Sequence, residues 1–140
     1  MKESEKELRS IEFGQEDSIK LKEPILFIVG LDFNKSIKDA VEIGFPNAYF
    51  KNTLIEVPKI NDLKPLDFRA ILIDCSISSS TSISNFINDY NKKSLSQRAT
   101  YFVGLIDENK VNSYNNWKEI GFTDMIVKPF DYNDLLRILL

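Results

Sequence analysis

The sequence predicts a doubly wound α/β domain, in which a parallel β-sheet is covered by helices on both faces. Two observations support this prediction: continuous apolar runs of strand length, and segments of helical periodicity that alternate with them along the chain. A continuous apolar run is typical of a parallel strand, because a strand with one exposed face would alternate apolar and polar residues. The length of 140 residues suits one domain with a real core.

Five segments have the length and composition of strands. They are Ile25–Val29, Ala48–Phe50, Ala70–Ile73, Ala99–Val103 and Met125–Val127. Gly30, Asp74, Gly104 and Lys128 follow four of them, and Gly104 is expected to stop the fourth strand. Because the carboxyl ends of parallel strands meet at one edge, these positions mark the expected ligand site.

Five helices are predicted between and after the strands. They cover residues 35–43, 54–63, 83–93, 108–120 and 132–140. Asn34 or Ser36 can cap the first helix, and Asp131 can cap the last. Gly121 has the position of a C-terminal glycine after the fourth. This alternation of strand and helix is what predicts a parallel sheet.

Residues 1–23 differ from the rest of the chain in composition. They are rich in Glu, Lys, Ser and Gln with isolated apolar residues, and we expect a flexible tail or linker before a domain that covers 24–140. Glu3, Lys6 and Glu7 leave a frayed helix open. The alternating apolar residues in 11–13 and 19–21 leave two weak strands open.

Composition excludes several classes of function. The net charge is −3 and basic residues are mixed with acids, so no nucleic-acid or membrane partner is expected. No apolar segment is long enough to span a bilayer, and the charged N-terminus does not resemble a signal peptide. The single cysteine, Cys75, fits a reducing compartment, so we expect a cytoplasmic protein. With no histidine, no nucleophile–base set and no phosphate loop, no enzyme activity is expected.

Asp74 and Lys128 are the residues with the clearest functional signal. Each directly follows an apolar strand, so the fold brings a carboxylate and an ammonium to the same edge of the sheet. Pairing would favour the charged form of both groups in a partly dry cleft. Either residue alone would more commonly face water, but the two together indicate a site.

Two segments resemble the receiver domain of bacterial two-component response regulators, the CheY-like family. They are "FRAILID", which ends at Asp74, and "GFTDMIVKPFDYNDLLRIL" (121–139), and the resemblance spans about residues 24–140. It implies a sheet of strand order 2-1-3-4-5. It also implies that Asp74 is the phosphoacceptor equivalent, and that Lys128, followed by Pro129, is the lysine that contacts the phosphoryl group.

The sequence departs from the family at several of its functional positions. Gly30 and Leu31 stand where the family carries the acid pair that binds Mg²⁺, and Asp32 follows one residue late. Gly104 stands at the expected Thr or Ser position, and Met125 at the aromatic switch position. The metal set is therefore reduced to Asp32 and Asp74 as weak ligands, and we expect no cofactor and poor phosphorylation.

The resemblance and its departures predict an atypical receiver, a phosphorylation-independent protein-interaction module in bacterial signalling. One alternative is a functional phosphoacceptor in a phosphorelay, phosphorylated on Asp74 with Mg²⁺. A second is a structural or dimerising domain of a larger signalling protein. The expected partners are signalling proteins, with a histidine kinase as one candidate, and the chain itself is expected to be a monomer or a weak homodimer.

The resemblance also implies a face for these partners, formed by the fourth helix, the fifth strand and the fifth helix. Its candidate residues are Tyr114, Trp117, Met125 and Phe130. Aromatic residues spaced by threes drift around a helix, so part of this surface is expected to be exposed. A wide buried stripe with Trp117 partly covered is the alternative.

Overall fold

A computed structural model describes residues 23–52, 57–60, 63, 67–93 and 99–139. Within these residues the chain forms a parallel sheet of five strands in the order β2-β1-β3-β4-β5. The strands are β1 (Ile25–Val29), β2 (Ala48–Asn52), β3 (Ala70–Asp74), β4 (Tyr101–Asp107) and β5 (Asp124–Lys128). The predicted fold class and strand order are confirmed.

Helices cover both faces of this sheet. They are α1 (Lys35–Gly44), α2 (Ser80–Lys93), a 3₁₀ helix (Glu108–Tyr114), α3 (Trp117–Ile120) and α4 (Tyr132–Leu139). Each apolar strand divides its side chains between the two faces. In β1, Leu26 and Ile28 join the core under α2, whereas Phe27 and Val29 join the core under α1 and α4. All five residues of β1 and all five of β3 are buried, as their continuous apolar runs predict.

The predicted caps at the helix ends are present. Asn34 Oδ1 accepts a hydrogen bond from the Ile37 amide at 3.1 Å, which caps α1. Asp131 and Asp134 cap α4 reciprocally, because each carboxylate accepts from the backbone amide of the other residue. Gly121 ends α3 with a φ of 123°, a backbone conformation that favours glycine.

Two predicted elements differ from the structure. β4 does not stop at Gly104 but continues to Asp107, with Gly104 paired in register with Ile73 and Met125. The glycine is tolerated inside the strand because the Met125 side chain fills the space beside it. The predicted helix 108–120 is a 3₁₀ helix followed by the short α3. Asn and Ser residues in this segment lower its helix propensity.

Two further predictions fall largely outside the described residues. The tail 1–23 does so except for Glu23, whose carboxylate lies 3.1 Å from Arg69 Nε. The helix predicted for 54–63 does so except for 57–60 and 63, in which no α-helix is present.

Candidate functional site

A cleft of about 350 Å³ opens at the carboxyl ends of the central strands. The loop after β1 and the segment after β5 form two of its walls, while the ends of β3 and β4 supply acidic residues. Its lining comprises Asp32, Phe33, Asn34, Ile37, Asp74, Asp107, Lys128, Pro129 and Phe130. The cleft thus lies where an open α/β sheet is expected to bind ligands, and it contains both Asp74 and Lys128.

Asp74 and Lys128 form a direct ion pair. Lys128 Nζ lies 2.9 Å from Asp74 Oδ1 and 3.0 Å from Asp74 Oδ2, so the ammonium bridges both oxygens of the carboxylate. The Asp74 side chain is only 5% exposed and that of Lys128 is 24% exposed. Such a buried carboxylate needs a nearby cation or hydrogen-bond donors to remain charged. The pairing expected from the sequence is present.

Ser76 also holds the Asp74 carboxylate. Asp74 Oδ1 accepts hydrogen bonds from the Ser76 amide at 3.0 Å and from Ser76 Oγ at 2.7 Å. These two bonds come from the turn that directly follows β3, which is also closed by a bond from the Ile77 amide to the Asp74 carbonyl. Asp74 is therefore fixed by its own loop as well as by Lys128.

Asp107 is a site residue that the sequence analysis missed. Its Oδ1 lies 3.2 Å from Lys128 Nζ, and the two residues are paired in register at the ends of β4 and β5. The error followed from stopping β4 at Gly104, which left Asp107 in a loop. The apolar residues Leu105 and Ile106, which continue the strand beyond Gly104, were the signal that could have found it.

The surroundings of Lys128 stabilise its charged form. Burial alone would lower the pKa of this lysine, but hydrogen bonds and charge from Asp74, and then from Asp107, outweigh it. The pKa of Lys128 is consequently raised above its usual 10.5. The ammonium stays protonated at all physiological pH values.

Aromatic packing positions the loop that carries Asp32. The Phe33 ring lies 6.4 Å from Phe27, 6.1 Å from Phe50 and 6.3 Å from Phe130, measured between ring centroids. This packing anchors the loop against β1, β2 and the segment after β5. Asp32 lines the cleft, and its Oδ1 lies so close to Gly30 that a Cβ there would be 2.9 Å away.

These residues do not fit the divalent cation that the resemblance implies. Gly30 and Leu31 carry no side-chain oxygen, and both oxygens of Asp74 already face the Lys128 ammonium. In the part of the chain that the structure describes, no three His, Cys, Asp or Glu side chains are grouped as metal ligands. Magnesium requires several oxygen ligands in near-octahedral geometry. Whether the protein works without a cofactor stays a prediction.

Gly104 does not lie at the end of β4 as the sequence analysis assumed. A Cβ at Gly104 would lie 2.5 Å from Met125 Sδ and 3.2 Å from Cys75 Sγ, so the position faces a packed layer behind the cleft. Met125 is half-buried and packs against the core under α2. Met125 therefore occupies the space that a side chain at 104 would need, and the strand end nearest Lys128 carries the carboxylate of Asp107 instead.

Cys75 lies in the same layer, and its surroundings favour the protonated thiol. It is buried, and its amide donates to the Leu105 carbonyl at 2.8 Å. Burial, aided by the charge of Asp74, raises the pKa of the Cys75 thiol from 9.0 to about 12. Tyr114 donates its hydroxyl to the Cys75 carbonyl at 3.3 Å. Burial and the neighbouring Cys75 raise the pKa of Tyr114 to about 12.

The candidate partner-face residues are not brought together on one exposed surface. Tyr114 is buried, because its ring packs in the core and its hydroxyl bonds to Cys75, as the alternative of a buried stripe predicts. Trp117 is partly covered and packs against the same core. Phe130 contacts Phe33 and lines the cleft. The apolar side chain of β5 that is exposed is Val127, at 43%.

No helix in the described residues is long and apolar enough to cross a membrane. No protein-family model and no curated protein sequence matches the chain.

Solved structures identify the fold. The receiver domain of sensor histidine kinase PA1611 from Pseudomonas aeruginosa PAO1 is 19% identical, with a TM-score of 0.62 over 84% of this chain and 94% of that one. CheY4 of Vibrio cholerae is 13% identical, with a TM-score of 0.56 over 85% of this chain and all of that one. Full-length FixJ from B. japonicum is 11% identical, with a TM-score of 0.57 over 84% of this chain. The chain spans only 56% of FixJ. The chain thus has the CheY-like receiver fold.

Proposed function

We propose that this chain is an atypical receiver domain that acts as a phosphorylation-independent protein-interaction module in signal transduction. Its fold is that of receiver domains, and Asp74 and Lys128 stand where the sequence resemblance places a phosphoacceptor and its lysine. The positions that would hold the metal carry Gly30 and Leu31. The chain would thus keep the receiver fold without the phosphoryl-transfer chemistry.

The state of the Asp74 carboxylate is the observation that carries this proposal. Lys128 contacts both oxygens, and Ser76 donates two hydrogen bonds to one of them. Attack on a phosphoryl donor requires a free carboxylate oxygen, and transfer of a phosphoryl group relies on a metal ion to neutralise the incoming charge. Here the carboxylate is already neutralised and hydrogen-bonded, which favours a permanent ion pair over a reactive nucleophile.

The layer behind the site supports the same conclusion. The last two residues of β4, Ile106 and Asp107, offer no hydroxyl at the strand end, and Met125 fills the space beside Gly104 behind it. The end of β4 presents the carboxylate of Asp107, which would repel a phosphoryl group rather than bond to it. A modified Asp74 would thus lack the groups needed to report its state to other elements.

Beryllofluoride binding tests the proposal directly. The ¹⁵N-labelled protein is mixed with Mg²⁺ and beryllofluoride, and separately with a small acyl-phosphate donor, followed by NMR and intact mass. We expect no stoichiometric adduct and no shift of the amides of α3. The Asp74→Asn variant, which cannot accept a phosphoryl group, is the matched control. Stoichiometric modification of the wild type, absent in this variant, with shifts that reach α3 would overturn the proposal.

A phosphoacceptor with Mg²⁺ is the second candidate function. Asp32 favours it, because this carboxylate lines the same cleft. It also lies against Gly30, and Gly30 stands at one of the two positions where the resemblance expects an acid. A Mg²⁺ titration followed by NMR would test it. Concentrations up to tens of millimolar would detect binding far weaker than that of dedicated sites. Unperturbed amides at Asp32 and Asp74 would argue against this function.

Protein partners follow from the first candidate, and a histidine kinase is one of them. The exposed Val127 and the half-buried Trp117 lie on the strand and helix that the resemblance gives to a partner face. The proposal includes a cytoplasmic location, no nucleic-acid or membrane partner, no enzyme activity of its own, and a monomer or weak homodimer. Light scattering at several concentrations distinguishes this from a structural, dimerising domain, for which a stable dimer is expected.

A further inference from the structure

The Lys128 ammonium is contacted by two carboxylates of its own chain. A lysine ammonium carries three N–H donors and no acceptor. Three carboxylate oxygens lie within hydrogen-bonding distance of Nζ, two from Asp74 at 2.9 and 3.0 Å and one from Asp107 at 3.2 Å. The hydrogen bonds to Asp74 and the ion pair with Asp107 together surround the ammonium, so a ligand in the cleft would compete with these carboxylates for it.

Asp107 differs from Asp74 in how firmly it is held. Asp74 is 5% exposed in its side chain and also bonds to Ser76, whereas the Asp107 side chain is 40% exposed. Asp107 lies at the last position of β4, beside Lys128 at the last position of β5, and it lines the cleft. It is therefore the carboxylate that a ligand could replace without disturbing the buried pair.

Charge in the cleft leads to the same residue. Among the described residues, the charged side chains that line it are three carboxylates, of Asp32, Asp74 and Asp107, and one ammonium, of Lys128. An anion that enters would meet an excess of negative charge and a lysine already paired with two carboxylates. Removing Asp107 would release one N–H and remove one negative charge at the mouth of the cleft.

We propose that Asp107 is the specificity-determining residue of the cleft, a built-in competitor that pairs with the Lys128 ammonium and thereby excludes phosphate-like anions. This inference rests on the proposed function, because it names a residue that keeps the same site closed to phosphoryl groups. The ligand class that Asp107 keeps out is a tetrahedral oxyanion. Asp107 acts through its ion pair with Lys128.

Binding of inorganic phosphate tests this assignment. The wild type, Asp107→Asn and Asp107→Ala are titrated at constant ionic strength and followed by the amide signals of the cleft. Asn keeps an acceptor oxygen but no charge, and Ala removes both, so affinity should rise in the order wild type, Asn, Ala. The gain for Ala should be at least about tenfold, because a freed hydrogen bond to a charged group contributes about 1.5 kcal/mol or more.

Two further variants make the result specific. Asp39→Ala removes an acid that pairs with Lys35 at 3.0 Å on exposed α1, so it changes net charge equally without altering the Lys128 contacts. It should change phosphate affinity by less than about twofold, because salt screens distant exposed charges. The double variant Asp107→Ala with Lys128→Met should lose the gain, since the freed donor is then absent.

The outcomes separate this inference from the proposed function. The inference is overturned if folded Asp107→Ala binds phosphate no more tightly than Asp39→Ala, or if the gain survives in the double variant. Circular dichroism and the amide spectrum establish folding in each case. Modification of wild-type Asp74 by beryllofluoride would overturn the proposed function, yet it would leave the order of phosphate affinities as a separate measurement.

Discussion

Replacement of Lys128 by methionine should destabilise the protein measurably. The substitution keeps the length of the side chain but removes the cation that faces both oxygens of the buried Asp74. Breaking a fully buried ion pair costs about 3–5 kcal/mol. Here the cost should be smaller, since Lys128 is 24% exposed and Ser76 still donates two bonds to the carboxylate. We expect a loss of about 1–3 kcal/mol, the range for a buried polar group left without one partner.

Urea unfolding at pH 7, followed by far-ultraviolet circular dichroism, measures this loss. Lys35→Met is the matched control, because it breaks the exposed pair with Asp39 and should cost no more than about 0.5 kcal/mol. Adding Asp74→Asn to Lys128→Met should recover stability, since the unpaired buried charge is then gone. Equal urea midpoints for Lys128→Met and Lys35→Met would show that the pair with Asp74 does not stabilise the fold.

Three further predictions concern the layer behind the cleft. Gly104→Ala should lower the free energy of unfolding, measured with heat or urea, by about 1–3 kcal/mol, because its Cβ would overlap Met125. Adding Met125→Ala should restore most of the lost stability. Equal stability of Gly104→Ala and wild type would contradict this packing. The pKa of the Cys75 thiol is raised from 9.0 to about 12, so in the folded protein it should react with iodoacetamide at pH 8 at least about a hundredfold more slowly than in the protein unfolded in urea. Comparable rates in the two states would contradict its burial. The unfolding free energy should fall as pH rises from 9.0 towards 12, because Cys75 and Tyr114 lose their protons more easily in the unfolded chain than in the folded one. Urea titrations over that pH range measure this fall. An unfolding free energy that does not change with pH would contradict the raised pKa values.

The strands and the ion pair could be predicted because local patterns in the sequence determine them. The continuous apolar run of β1 identifies a doubly buried strand within its true bounds, Ile25–Val29. Asp74 and Lys128 follow such runs directly, so the fold alone brings them together. Asn34 and Asp131 likewise cap helices through local hydrogen bonds that any chain with that spacing can form.

What could not be predicted depends on contacts between distant elements. Glycine commonly weakens a strand, but β4 is paired with β3 and β5 on either side of Gly104, and the Met125 side chain lies over the glycine. Tyr114 packs in the core, and its hydroxyl donates to the carbonyl of Cys75, a residue 39 positions away. Neither contact leaves a periodic pattern in the sequence, and the apolar Leu105 and Ile106 are the local sign that the strand continues past Gly104 to Asp107.

The register of β4 with β5 has a consequence for how the protein opens. Asp107 and Lys128 close the ladder between these strands, and the ammonium ties both to Asp74 at the end of β3. Hydrogen-bonded strand ends normally fray independently and exchange their amide protons early. With one cation shared by three strands, their carboxyl ends should open together, as a single cooperative unit whose amides exchange at closely similar rates.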